Sequence, residues 1–212
     1  MRSVRFITAA CCLFAAGCPV TPSPTTRSER PDVQIPAPDF TLTERSGKPV
    51  TRDDFKGTVW VASFVFTRCP GPCPQVSATM ARLQKELDLA NTQALRLVTF
   101  TVDPERDTPN ELKEYAARYQ AHPERWLFLT GKSETELHAL ITDGFKVTAQ
   151  RAKNAKPGDE FDHSSRLAVV DKGGTIRGYF DGMRSGDGPE ATAEFEENLR
   201  QLRETVTRLL RE

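Results

Sequence analysis

The chain carries no net charge: its 29 lysines and arginines match its 29 aspartates and glutamates. These charges are scattered rather than clustered, which removes the electrostatic case for a nucleic acid or an anionic membrane surface as partner. Internal repeats are lacking too. Long apolar runs are scarce, and the one over residues 6–16 is too short to span a bilayer as a helix. Cysteine is also scarce: there are five, and Cys11, Cys12 and Cys18 all fall in the leader. That leaves Cys69 and Cys73 as the thiols of a mature domain.

The leader is informative in itself. Arg2 and Arg5 precede the apolar run, the layout of a secretory signal. Ala15-Ala-Gly-Cys18 resembles a bacterial lipoprotein box, with Cys18 as the lipidated new N-terminus and Ala15 where a larger aliphatic residue is usual. The expected organisation is a lipoprotein-type signal over residues 1–18, a Pro/Ser/Thr-rich tether over 19–38 and one folded domain over 39–212. A tether of this composition is extended, at ~3.1 Å per residue. The domain is expected to be exported and lipid-anchored to a bacterial membrane, facing the periplasm or the cell exterior, where thiols meet an oxidising poise. A cleaved signal without lipid is the simpler alternative.

From residue 39 onward, strand and helix patterns alternate. A short hairpin is expected over residues 40–50 and a buried strand over 59–66. Val76, Met80, Leu83 and Leu87 recur at helical spacing just past Cys73. A strand over 95–102 follows, then a helix opened by Thr108-Pro-Asn-Glu111, a capping box with proline at the first helical position. A strand over 126–130 leads to a second capping box, Ser133-Glu-Thr-Glu136. Residues 150–160 form a polar excursion, and loops of that length inside a compact domain are usually functional. Strands over 166–170 and 175–180 flank the turn Asp171-Lys-Gly-Gly174. Phe195, Leu199, Leu202, Val206 and Leu209 mark one stripe of a final helix from Pro189. The order predicts an α/β fold, a mixed central sheet flanked by helices on both faces. Such sheets place their sites at the C-terminal ends of strands.

Cys69 and Cys73 stand at one of those ends, where the strand over 59–66 gives way to a helix. Their spacing puts both sulfurs on one side of a helical turn, so they can address each other or one metal ion. His163, in the segment that enters another strand, is the candidate third ligand. Two thiolates and an imidazole suit copper or zinc better than an oxygen-loving ion. No fourth protein ligand is evident for a structural zinc site. His122 and His138 lie in or beside helices with no cysteine nearby and are expected at the surface. Pro70, Pro72 and Pro74 stiffen the cysteine loop and remove backbone donors. Arg68 is expected to lower the pKa of Cys69 and favour its thiolate. Asp162 reads either as the acceptor that orients His163 or as a turn carboxylate.

Three segments in order carry a resemblance to one family. Phe66-Thr-Arg-Cys-Pro-Gly-Pro-Cys-Pro74 resembles the T-x-C-P-x-x-C-P motif of the Sco/SenC proteins. Val102-Asp-Pro-Glu-Arg-Asp-Thr-Pro109 is similar to their D-P-x-R-D-T segment, and Asp162-His-Ser-Ser165 to their D-H-S/T motif. The resemblance implies a thioredoxin-like fold and copper, as Cu(I) or Cu(II), bound by Cys69, Cys73 and His163. It implies work in cytochrome c oxidase assembly, with the copper A subunit or another copper chaperone as partner. Asp103 and Asp107 match the second segment, where they serve either near the site or as turn and helix-entry residues. Pro72 replaces the more usual non-proline residue between the cysteines.

The same sulfurs also allow a thiol-disulfide reductase without metal transfer, with Cys69 attacking. A permanent disulfide and a copper or redox sensor are further readings. A peroxiredoxin fits poorly, because Thr67 stands two rather than three residues before Cys69.

Overall fold

The computed structural model describes residues 33–153, 155 and 160–212. The leader, including Cys11, Cys12 and Cys18, lies outside the described residues, as do residues 19–32 of the expected tether.

Among the described residues, ten strands and four α-helices follow in chain order: β1 Ile35–Pro36, β2 Thr41–Glu44, β3 Pro49–Thr51, β4 Val59–Val65, α1 Pro72–Glu86, β5 Leu95–Thr101, α2 Pro109–Arg118 and β6 Trp126–Thr130, then α3 Glu134–Ala139, β7 Ala149–Arg151, β8 Phe161–His163, β9 Arg166–Val170, β10 Thr175–Asp181 and α4 Pro189–Arg211. Eight strands form one mixed sheet in the order β1-β10-β9-β4-β5-β6-β2-β3. Strands β4, β5 and β6 run parallel, while β9 lies antiparallel against β4.

All seven residues of β4 are buried, as expected of a strand covered on both faces. Successive side chains of a strand point to opposite faces. Trp60 and Phe64 therefore share one face, where they meet Phe55, Phe100 and Phe145 at centroid separations of 5.1–6.5 Å. Phe145 follows a π-helical turn, Leu140–Gly144, that continues α3. Ser63 points the other way and shares a 2.9 Å hydrogen bond with Thr99, which also accepts from the Trp126 indole. Beyond Trp126 on that face lie Phe128, then Tyr115 of α2, whose hydroxyl bonds Ser77 of α1 at 2.8 Å. Helical segments thus cover both faces of the sheet.

The domain begins earlier than composition suggests. Ile35 and Pro36 pair with Ile176 and Thr175, and Ala37 is buried. The apolar Val33 and Ile35, masked in the sequence by neighbouring prolines, carry this extra strand against the core. Helix α1 starts at Pro72 rather than after Cys73, since proline suits the first helical position. Thr108 and Ser133 cap α2 and α3 by accepting from the backbone N–H groups of Glu111 and Glu136.

The polar excursion is framed by a second, two-stranded sheet. Strands β7 and β8 pair antiparallel, with Ala149 opposite His163 and Arg151 opposite Phe161. Its tip, residues 154 and 156–159, lies outside the described residues.

Candidate metal centre

Strand β4 delivers the first half of the site. Past its end, Phe66-Thr-Arg-Cys69 turns sharply, with the Cys69 N–H donating to the Phe66 carbonyl at 3.3 Å. Cys73 lies in the first turn of α1 and is fully buried, whereas Cys69 keeps 8 % exposure. Strand β8 brings the second half. His163 closes on the cysteines, its Nε2 3.3 Å from Cys73 Sγ. The ligand atoms of Cys69, Cys73 and His163 all lie within 4.8 Å of one another.

Nδ1 of His163 lies 3.4 Å from the Ser164 carbonyl, an acceptor for a protonated Nδ1. With the proton there, Nε2 would present its lone pair to a metal held by the sulfurs. The ring stands edge-on to Phe66, at 5.5 Å and 85°. Phe66 in turn meets Phe161 at 5.2 Å, and Phe161 meets His138 at 5.6 Å.

The two thiols are unequal. Cys69 is pulled down to about 4, chiefly by the hydrogen bond from the Cys73 thiol and then by His163, with burial opposing. Cys73 moves up, because burial disfavours its thiolate and the Cys69 anion is adjacent. Near neutrality the pair therefore holds one proton, on Cys73. The Phe66 N–H points at Cys73 Sγ from 3.4 Å and slightly favours its anion.

Asp107 fastens the cysteine loop to the sheet. Its carboxylate accepts from the Thr67 hydroxyl at 2.6 Å, the Thr67 N–H at 3.1 Å and the Thr101 hydroxyl at 2.5 Å. Both Asp103 and Asp107 are fully buried. Asp103 receives its neighbours differently: its N–H donates to Thr101, and its carbonyl accepts from the Asp107 N–H. Asp107 thus serves as a helix-entry residue and as an anchor of the loop. Burial pushes its carboxyl above the usual range, against the three donors.

Two expectations need correction, and the open alternative at Asp162 is decided. Arg68 does not hold the Cys69 thiolate: its guanidinium turns to Glu160 at 3.1 Å and Asp103 at 3.8 Å, and Cys73 supplies the proton instead. Asp162 does not orient His163. Strand alternation points it to the exposed side, within 3.4 Å of Gln150, and the Ser164 carbonyl takes the orienting role. His138 is not a surface residue; its side chain is 13 % exposed and its Nε2 lies 2.7 Å from the Val102 carbonyl. It fills the space between α3 and the β7–β8 hairpin. The sequence alone assigns no role at this site to Thr67, Phe161 or Ser164, although the period-two pattern around His163 places Phe161 on its side of a strand.

This constellation, on this fold, matches a known family over most of the chain. The SCO1/SenC family model matches residues 28–199. The chain belongs to that family. It is 35% identical over 146 residues to the SCO1 protein homolog of Bacillus subtilis, covering 69% of this chain and 74% of the relative. Among solved structures it resembles BsSco, a member of the Sco family of cytochrome c oxidase assembly proteins in which a disulfide switch was identified. That match has 30% identity, a TM-score of 0.64 and coverage of 81% of this chain and 96% of the other. It also resembles Bradyrhizobium japonicum ScoI with copper bound, at 26% identity and a TM-score of 0.56, over 77% and 99% of the two chains. The fold is that of the thioredoxin-like Sco proteins.

Proposed function

We propose that this protein binds one copper ion through Cys69, Cys73 and His163 and delivers it to the copper A subunit during cytochrome c oxidase assembly. The observation that carries this reading is the convergence of two sulfurs and an imidazole nitrogen within 4.8 Å of one another. The donor set is soft and three-membered, which suits copper and leaves a coordination position for a partner's ligand. The Asp107 carboxylate is already engaged by Thr67 and Thr101. Copper-bound and oxidase-assembly relatives support the same reading. The export signal and Cys18 support a lipid anchor on a bacterial membrane, with residues 19–32 as the tether. No helix among the described residues is long and apolar enough to cross a membrane.

A second role, dithiol reduction, is favoured by the thiol asymmetry. The less buried Cys69 carries the anion and the fully buried Cys73 the proton, the division of labour that disulfide exchange uses. Anaerobic titration of the reduced protein with copper tests the first reading, followed by transfer to an apo copper A fragment. One equivalent bound and then passed on is the expected result. Absence of uptake, alongside reduction of an oxidised copper A fragment, would leave the reductase role alone.

A further inference from the structure

The hairpin that carries His163 is held to the domain by charge as well as by Phe161. Glu160 Oε1 accepts from Arg68 at 3.1 Å and lies 3.5 Å from Arg106. Asp103 Oδ2 faces the same guanidinium groups, 3.8 Å from Arg68 and 3.4 Å from Arg106. Four charges from three segments close into a ring: the cysteine loop, the β5–α2 connection and the hairpin. On the partner strand, Arg151 pairs with Glu134 of α3 and reaches Glu105 at 3.6 Å. Its guanidinium also lies over Phe161, 4.9 Å from the ring centroid.

Burial within this ring is uneven. The side chains of Asp103 and Glu160 are 1% and 14% exposed, while those of Arg68 and Arg106 are 48% and 44% exposed. The carboxylates lie underneath and the arginines face water, so dissolved ions reach these pairs and screen them. Strands β7 and β8 have three residues each. A two-stranded hairpin of that size does not hold together alone in water. Undocking the hairpin therefore melts it.

We propose that this ring is a clasp that keeps the His163 hairpin closed on the cysteines, with Arg68 and Glu160 as positioning residues for His163. Opening the clasp withdraws the third ligand and leaves copper on the two sulfurs, ready for capture by a partner. The last step rests on the copper reading above; the clasp does not.

Two measurements test it. In the metal-free protein, the Ala152 N–H donates to the Glu160 carbonyl and the Ser164 N–H to the Thr148 carbonyl, so their hydrogen exchange reports hairpin opening. Arg68→Gln and Glu160→Gln should each accelerate that exchange about two- to fivefold. The double variant should have less than the combined effect of the two single changes, because both remove the Arg68–Glu160 pair. Added salt should speed exchange in the unaltered protein and much less in the double variant. In the loaded protein, the same substitutions should hasten copper loss to a chelator by a similar factor. Arg82→Gln, which breaks an Arg82–Glu196 pair between α1 and α4, should change neither rate. Unchanged exchange in both variants, or exchange in the unaltered protein indifferent to salt, would overturn the clasp. A protein that takes up no copper would remove the functional reading, and the metal-free exchange rates would still decide the clasp.

Discussion

Cys73 Sγ lies 3.3 Å from His163 Nε2, although 90 positions separate the two residues in the chain. One belongs to a helix built on the central sheet and the other to a small hairpin beside it. The contact joins two parts of the domain that differ in how firmly they are held. It gives His163 a measurable role. His163→Ala should weaken copper binding by at least about tenfold, as losing a ligand costs no less than losing its support. A competition titration against a chelator of known affinity reads the change.

The thiol asymmetry predicts a pH profile. With Cys69 held at about 4, its alkylation rate should stay level across the neutral range and fall only in acid. Cys73→Ala removes the main donor to that thiolate. The inflection should then rise toward the ordinary thiol value of about 8.5, as followed by iodoacetamide labelling against pH. The stability linked to Cys69 has the same sign. A depressed pKa contributes stability above the unfolded value, and that contribution is lost as pH falls through the folded one.

Asp107 gathers three donors in a fully buried position. Asp107→Ala leaves Thr67 and Thr101 unpaired and should cost about 2–4 kcal/mol in urea unfolding. Asp107→Asn keeps the shape and part of the bonding, so its loss should be smaller. Both should reduce copper affinity, because Thr67 leads directly into Cys69.

Gly182 predicts a steric effect on the far side of the hairpin. Its N–H donates to the Ser165 carbonyl at 2.9 Å, and an added Cβ would press on that oxygen and on Leu167. Gly182→Ala should therefore destabilise the domain by about 1–3 kcal/mol, the usual cost of overpacking. Thermal unfolding measures the loss, and a shifted imidazole signal of His163 would report the displaced Ser164-Ser165 link.

Much of this architecture is legible in the chain because its signals are local. The apolar run of β4, the caps at Thr108 and Ser133 and the Asp171-Lys-Gly-Gly174 turn each fix an element by themselves. The convergence of Cys69, Cys73 and His163 is legible too, through residue types that have few other reasons to coincide. What surrounds the trio was less so. Arg68 sits next to Cys69 in sequence, yet its charge is spent on Glu160, 92 positions away. Asp162 adjoins His163, yet strand alternation turns it outward. His138 reads as a polar helix residue, and its burial comes from Phe161 and the Val102 carbonyl, which belong to other segments. Adjacency in the chain is a poor guide where a side chain's partner comes from another segment.

The large sheet terminates in its shortest members, a two-residue strand at one border and a three-residue strand at the other. Strands this brief leave little unpaired backbone for a neighbouring molecule to extend. Copies crowded side by side would therefore meet only short strands at these two borders.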